Sequence, residues 1–337
     1  MANPQKHSIL VAGAGSWGTA LAIVLARNGH IVSLWDINTD HIYKLQQNRT
    51  NETYLPGIAF PEGLNPVSDL SASLVHLSDV IIAVPCNGLE DVLKQMVSSP
   101  VKKFNICLAC KGLASGGQLL NHQVVNEYLH ERASTAVLSG PSFAAEVARG
   151  LPTAVTIASS DKSTAEYFAS CFHNEIFRIY THNDVIGAQV GGAIKNVMAI
   201  AAGIADGLGF GANTRAALIT RGLAEIMRLG VALGGKPETF MGLAGLGDLV
   251  LTCTDDQSRN RRLGLLLAQG KDLETALEII GQTVEGVRTA KDVMNLSTNH
   301  QIEMPISEQV YNVLNNNLPP VDAVRSLLAR DPKPELQ

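Results

Sequence analysis

Gly13-Ala14-Gly15-Ser16-Trp17-Gly18 is the stretch whose reading decides the fold. It follows Ser8–Ala12, a short apolar run with strand character, and opens Trp17–Asn28, whose apolar spacing is that of a helix. A G-x-G-x-x-G alone is a weak signal. Between a strand and a helix it is the fingerprint of a dinucleotide-binding turn rather than a glycine-rich turn of an unrelated α/β protein. Gly13 permits the tight turn, Gly15 lets the backbone approach a pyrophosphate, and Gly18 lets helix and strand pack closely. The free N–H groups and positive end of the helix then hold the phosphates.

The next strand-like run, Ile31–Trp35, ends at Asp36, where the fingerprint expects an acid. A carboxylate there accepts hydrogen bonds from the ribose of NAD and repels the extra phosphate of NADP. Ile37-Asn38-Thr39-Asp40 offers no Arg or Lys to a 2′-phosphate. Asp36 also has a structural reading, as an N-cap, but Asn38 is better placed to cap the following helix.

Further strands are expected at Asp79–Val84, Phe104–Ala109, Thr135–Leu138 and Thr153–Ala158, with a helix over Gly88–Val97 and a long loop over Asn48–Pro66. Strands alternating with helices imply a parallel sheet covered on both faces. The character changes near Asp184. From there to about Leu233 helix formers dominate, and helical patterns recur at Asn260–Gln269, Leu273–Ile280, Val284–Asn295, Ser307–Asn315 and Val321–Ala329. The fold class is therefore α/β: an N-terminal Rossmann-type doubly wound sheet over residues 1–186, followed by an all-α C-terminal domain over 187–332. Arg330–Gln337 reads as a frayed tail.

At 337 residues, 46% hydrophobic and 17% charged, the chain has ample material for large cores. A net charge of −5 argues against general nucleic-acid binding but says little about small anions, which need only a local positive site. Cys86, Cys107, Cys110, Cys171 and Cys253 are odd in number and scattered, as free thiols of a reducing compartment are. Cys107-x-x-Cys110 lies in a strand-like run without a second ligand pair, so no metal is expected. The first seven residues hold no apolar signal core, and no run reaches the length of a membrane span, so a cytoplasmic protein is expected.

The chemistry concentrates at a few points. Lys195 is a lone cation in the apolar stretch Gly191-Gly192-Ala193-Ile194-Lys195-Asn196-Val197. Burying an ammonium is costly unless it is paired, and a desolvated lysine can move protons near neutral pH. It either snorkels to the surface or serves a site. Gly191, one helical turn earlier, would leave room beside the amine for a ligand. Lys111 and Gly112 follow a strand at its carboxyl end, where open α/β sheets bind ligands. Ser139-Gly140-Pro141-Ser142 follows another, and either serine would cap a helix over Ala144–Arg149. Asp248 and Thr252 share a helical face and would orient the amine of Lys195, although an N-cap role for Asp248 remains open. Ser258-Arg259-Asn260-Arg261-Arg262 offers a clamp for a phosphate dianion, with Arg259 the favoured ligand and Arg261 and Arg262 suited to a solvated helix face.

Taken in order along the chain, these motifs closely resemble the bacterial NAD(P)-dependent sn-glycerol-3-phosphate dehydrogenases. The match rests on Gly13–Gly18 with Ser16-Trp17, Lys111-Gly112, Ser139–Ser142, Gly191–Asn196, Gly245-Leu246-Gly247-Asp248, Ser258-Arg259-Asn260 and Thr283-Val284-Glu285-Gly286. The resemblance implies reversible hydride transfer between NAD(P)H and dihydroxyacetone phosphate, giving sn-glycerol 3-phosphate, a glycerophospholipid precursor. It implies that Ser16, Trp17, Ala144, Thr283 and Glu285 line the cofactor site with the glycines. It implies that Lys111, Gly140, Ser142, Asp248, Ser258, Arg259 and Asn260 form the substrate site, with Lys111 and Arg259 also reaching the cofactor and Lys195 the proton acceptor. It further implies a homodimer through the helical half. Many relatives carry basic residues where this chain has Asp36-Ile37-Asn38, and that departure favours NAD(H). Two other readings stay open: a 3-hydroxyacid or 6-phosphogluconate dehydrogenase of similar architecture, and a binding protein that senses NAD without catalysis.

Overall fold

Strand β1 (Ser8–Ala12) is buried along all but its first residue and sits inside a parallel sheet. It pairs on one side with β2 (Ile31–Trp35), Ser8 opposite Ile31. A small antiparallel hairpin, β3 (Thr50–Asn51) and β4 (Leu55–Ala59), precedes β5 (Leu64–Val67), which extends the sheet beyond β2. On its other side β1 pairs with β6 (Asp79–Ile82), followed outward by β7 (Phe104–Leu108), β8 (Ala133–Ser139), β9 (Thr153–Ala158) and β10 (Phe177–His182). This computed structural model describes residues 6–114, 116–117, 119–331 and 334.

The sheet order is β10-β9-β8-β7-β6-β1-β2-β5, so the direction of winding reverses between β1 and β6. A crevice outside the carboxyl ends at such a reversal is where these sheets bind ligands. Helices Ser16–Arg27 and Lys162–Phe172 cover one face, and Leu89–Ser98 with Asn121–Leu129 the other. Burial on both faces explains why the central strands are continuously apolar rather than alternating.

Three features differ from expectation. The pairing of β8 with β9 is antiparallel. Residues 48–66 are not a loop but carry the hairpin and β5; Pro66 weakens the strand signal yet is tolerated there because β5 is an edge strand and needs no donor on its free side. Strand β10, Phe-Arg-Ile-Tyr-Thr-His, is also new, and its exposed polar residues mask it because it is the opposite edge.

The helical half is built around the helix Val185–Gly207, nineteen of whose residues are buried. Its length and composition suffice to cross a membrane, contrary to the expectation that no run would, but 89% of its apolar window is buried inside the protein as in a core helix. Leu208–Gly211 then breaks the run before Ala212–Ala232, with Gly209 at φ +82°. Helices Asp248–Thr254, Arg259–Ala268, Leu273–Ile280, Glu285–Asn299, Pro305–Asn315 and Pro320–Leu328 follow. The central helix and Arg259–Ala268 touch backbone to backbone. A Cβ on Gly203 would lie 2.1 Å from the Arg261 carbonyl, and one on Gly264 2.1 Å from that of Ile200. This crossing brings Asn260 against Asn196. Most of the expected C-terminal tail lies outside the described residues.

Candidate active site

Asp248 is the hub. A single π-helical turn, Leu243–Gly247, delivers it to the first position of its helix with no exposed surface. Oδ1 accepts a hydrogen bond from Lys195 Nζ, and Oδ2 lies 3.1 Å from Lys111 Nζ. The Lys195 side chain is 8% exposed and that of Lys111 14%. One carboxylate thus holds two ammonium groups, one from the central helix and one from the loop after β7.

The Lys111 ammonium also donates to the Gly140 carbonyl at 2.7 Å and to Ser142 Oγ at 3.1 Å. Burial pulls Lys111 down to about 8, Asp248 resists, and Lys195 adds to the fall. Asn196 Nδ2 donates to the Lys111 carbonyl, and its Oδ1 accepts from Asn260 Nδ2 at 3.0 Å. Asn260 Oδ1 in turn accepts from the Gly286 N–H. This amide chain joins the β7 loop to three helices of the second half.

Arg259, half-buried at the start of its helix, faces Glu285; burial lowers the guanidinium, and Glu285 opposes that. Burial likewise raises Glu285, against the pull of Arg259, Lys195 and Lys111. Five ionisable groups therefore converge on one place.

The glycine turn lies beside them, at the winding reversal. Gly13 has φ +113°, and a Cβ there would sit 2.7 Å from the Val84 nitrogen after β6. A Cβ on Gly18 would lie 1.9 Å from the Gly13 carbonyl, whereas one on Gly15 would meet nothing within 4 Å. Two glycines are thus needed for packing, and the third leaves an open face. Helix Ser16–Arg27 has no side-chain cap, so its first N–H groups are free for a ligand's phosphates. Asp36 Oδ2 accepts from the Ala14 N–H at 2.9 Å, and Oδ1 from the Asn38 N–H. Asn38 caps the next helix by accepting from the His41 N–H, as expected. These residues fit a dinucleotide.

Two family models cover the chain: NAD-dependent glycerol-3-phosphate dehydrogenase N-terminus over residues 8–165 and its C-terminus over 184–325. A glycerol-3-phosphate dehydrogenase [NAD(P)+] of Nitrosococcus oceani is 53% identical over 97% of this chain and 95% of its own length. The chain belongs to the NAD-dependent glycerol-3-phosphate dehydrogenase family. The solved glycerol-3-phosphate dehydrogenase of Coxiella burnetii superposes with a TM-score of 0.94 at 48% identity, covering 96% of this chain and 99% of that one. The Saccharomyces cerevisiae enzyme superposes with a TM-score of 0.82 at 27% identity over 97% of this chain and 100% of that one.

In this family member several local expectations need correction. Neither Ser139 nor Ser142 caps helix Ala144–Arg149. Phe143 stands at that position, while Ser142 binds Gly140 and Lys111. Thr252 does not orient Lys195, because its hydroxyl donates to the Asp248 carbonyl at 2.6 Å. Gly191 leaves no ligand space: a Cβ there would sit 2.4 Å from the Ala244 carbonyl, so it lets the Asp248 turn pack on the central helix. Arg261 is not solvated; it is buried on Asp206 at 2.6 Å, pairs with Asp256 and donates to the Cys253 carbonyl. Ser258 Oγ accepts from the Arg261 N–H as a helix cap. Ala144 packs with Trp17 and Ala83 on the sheet core, whereas Thr283 is exposed just before Glu285. Cys107 and Cys110 pack into the cores on opposite faces of the sheet. Asn196 is the linking residue that motif reading left without a role, although an amide beside Lys195 in an apolar helix is itself a signal.

Proposed function

We propose that this chain is an NAD(P)-dependent sn-glycerol-3-phosphate dehydrogenase that interconverts dihydroxyacetone phosphate and sn-glycerol 3-phosphate. The observation that carries the reading is the pair of lysines on buried Asp248, next to the glycine turn and to Arg259. The division of labour is a cofactor unit over residues 1–186 and a substrate unit over 187–332.

When bound, the dinucleotide exchanges a hydride with C2 of the substrate. The chain's residues do the rest. The N–H groups of Ser16 and Trp17 beside the open face of Gly15 would hold the dinucleotide's pyrophosphate, with Gly13 and Gly18 shaping the turn and Ala144, Thr283 and Glu285 lining the crevice. Arg259 grips the substrate phosphate bidentately, and Ser258 and the remaining amide hydrogen of Asn260 add to it; this fixes C2 in place. As the carbonyl oxygen gains negative charge, Lys111 stabilises it electrostatically, with Gly140 and Ser142 holding that ammonium. Lys195 gives its proton to the oxygen and, in the oxidative direction, takes it back. Asp248 keeps both amines in register.

Asp36 supports a preference for NAD(H), since one of its oxygens is held by the Ala14 N–H of the glycine turn, the other by the Asn38 N–H, and no cation occupies positions 37–40. A homodimer through the helical half is supported by an apolar groove of about 1280 Å³ away from Lys195, lined by residues such as Leu218, Val231, Val310, Val324 and Leu328. Supply of a glycerophospholipid precursor in the cytoplasm completes the reading.

The test is NADH oxidation by the purified protein with dihydroxyacetone phosphate, set against NAD+ reduction with 6-phosphogluconate and with a panel of 3-hydroxyacids. Turnover selective for the triose phosphate is expected. Tight NADH binding without that turnover would favour a sensing protein, and preference for another substrate a different dehydrogenase.

A further inference from the structure

Trp17 reaches in two directions. Its backbone lies in the first turn of helix Ser16–Arg27, directly behind the glycine turn. Its indole extends the other way, where Nε1–H donates to the Ala109 carbonyl at 3.1 Å, two residues before Lys111. The Lys111 ammonium lies 5.6 Å from the centre of the indole ring. The tryptophan packs against the hydrophobic core on one face of the sheet.

Tryptophan offers the strongest face of any side chain to an ammonium at this range, through the negative potential above its ring. The other contacts of this ammonium, to Gly140, Ser142 and Asp248, come from the β8 loop and the second half. The indole adds a contact from the cofactor turn. It also pins the backbone from which Lys111 projects. The charged groups facing Lys111 are Asp248 and Glu285, which favour its cationic form, and Lys195, which opposes it. An electron-rich ring joins the favourable side.

We propose that Trp17 is a positioning residue for Lys111: the indole holds both the ammonium and the Ala109–Lys111 backbone, so that the dinucleotide turn and the substrate cation move as one unit. This rests on the reading of Lys111 as a substrate-site cation.

The experiment compares kcat/KM for dihydroxyacetone phosphate against pH, from roughly 6 to 10, in the parent, Trp17→Phe and Trp17→Leu. Lys111 acts while protonated, so the parent profile falls as pH rises through about 8. Loss of the ring face makes the ammonium easier to deprotonate, so the falling limb of Trp17→Leu shifts down by roughly half to one pH unit. Trp17→Phe keeps a weaker ring face and falls between. A purely structural tryptophan would lower the whole profile without moving the limb, and an unmoved limb in Trp17→Leu overturns the proposal. A parent inactive on the triose phosphate overturns the functional reading instead, so the two failures are separable.

A second arm does not depend on the folding of the Trp17 variants. The chain has two tryptophans, so Trp35→Phe leaves Trp17 as the only indole emitter. Its fluorescence is expected to titrate with a midpoint near 8, and Lys111→Met to abolish that transition. A flat titration in Trp35→Phe, or one unchanged by Lys111→Met, contradicts the contact.

Discussion

Lys195 donates a hydrogen bond to Asp248, a carboxylate with no exposed surface, where the strand ends of the first half meet the central helix of the second. Because Lys111 takes the other oxygen, the three groups carry one positive charge in excess. That excess is what an anionic substrate and a developing alkoxide both need. The hub should therefore govern chemistry and folding together.

Asp248→Asn is the sharpest test of the hub. Loss of the carboxylate removes the main support of the charged form of Lys111, so its pKa falls below about 8 and the site carries less cation at neutral pH. A fall in kcat/KM for dihydroxyacetone phosphate on the order of 10²-fold is expected. Breaking a buried pair also costs roughly 3–5 kcal/mol, which urea unfolding would read directly. Parent-like kinetics with parent-like stability would contradict the role given to Asp248.

Arg259→Ala isolates phosphate recognition. A charged hydrogen-bonded contact contributes about 1.5–3 kcal/mol, so KM for dihydroxyacetone phosphate should rise roughly 10- to 100-fold while kcat changes less. Steady-state kinetics at saturating NADH would show it. An unchanged KM would put the clamp elsewhere.

On the proposed reading of Asp36 as the residue that disfavours a 2′-phosphate, kcat/KM should favour NADH over NADPH by roughly tenfold or more. Asp36→Asn should narrow the ratio. Equal use of both cofactors by the parent would show that the carboxylate does not discriminate.

Glu225 predicts a pH dependence of stability. It accepts the Ile306 and Ser307 N–H groups at the start of helix Pro305–Asn315, and burial pushes it up from 4.5 to about 7. The folded state therefore keeps a proton that the unfolded chain releases between those values. The stability contributed is fully present below 4.5 and is lost as pH rises through about 7. The loss amounts to about 3 kcal/mol. The parent Tm should fall over this range more than that of Glu225→Gln, and parallel curves would refute the assignment.

The fold was legible where one physical cause acted alone. The turn at Gly13–Gly18 and the strands Ser8–Ala12, Ile31–Trp35 and Thr153–Ala158 follow from apolar runs buried on both faces. Strands β5 and β10 were hidden because edge strands tolerate Pro66 and exposed polar residues. At the site, Lys195 stood out as a lone cation in an apolar stretch, Lys111 by its place after a strand end and Asp248 by its helical spacing, and the structure brings the three together. Among the glycines, Gly191 misled. Gly191 and Gly203 mark close backbone approach to partners 40 or more residues away in sequence, which no local pattern records. Arg261 looked solvated because its buried partner, Asp206, lies 55 residues away on the central helix, although Asp256 pairs with it locally. Asn196 stood in its motif without a role, since what it does is join two other residues.

The most direct test of the central claim is the turnover of Lys195→Ala with NADH and dihydroxyacetone phosphate, alongside its NADH affinity. The account predicts kcat lower by roughly 10²-fold or more, with NADH binding within about threefold of the parent. A kcat within about threefold of the parent would contradict proton transfer by this amine.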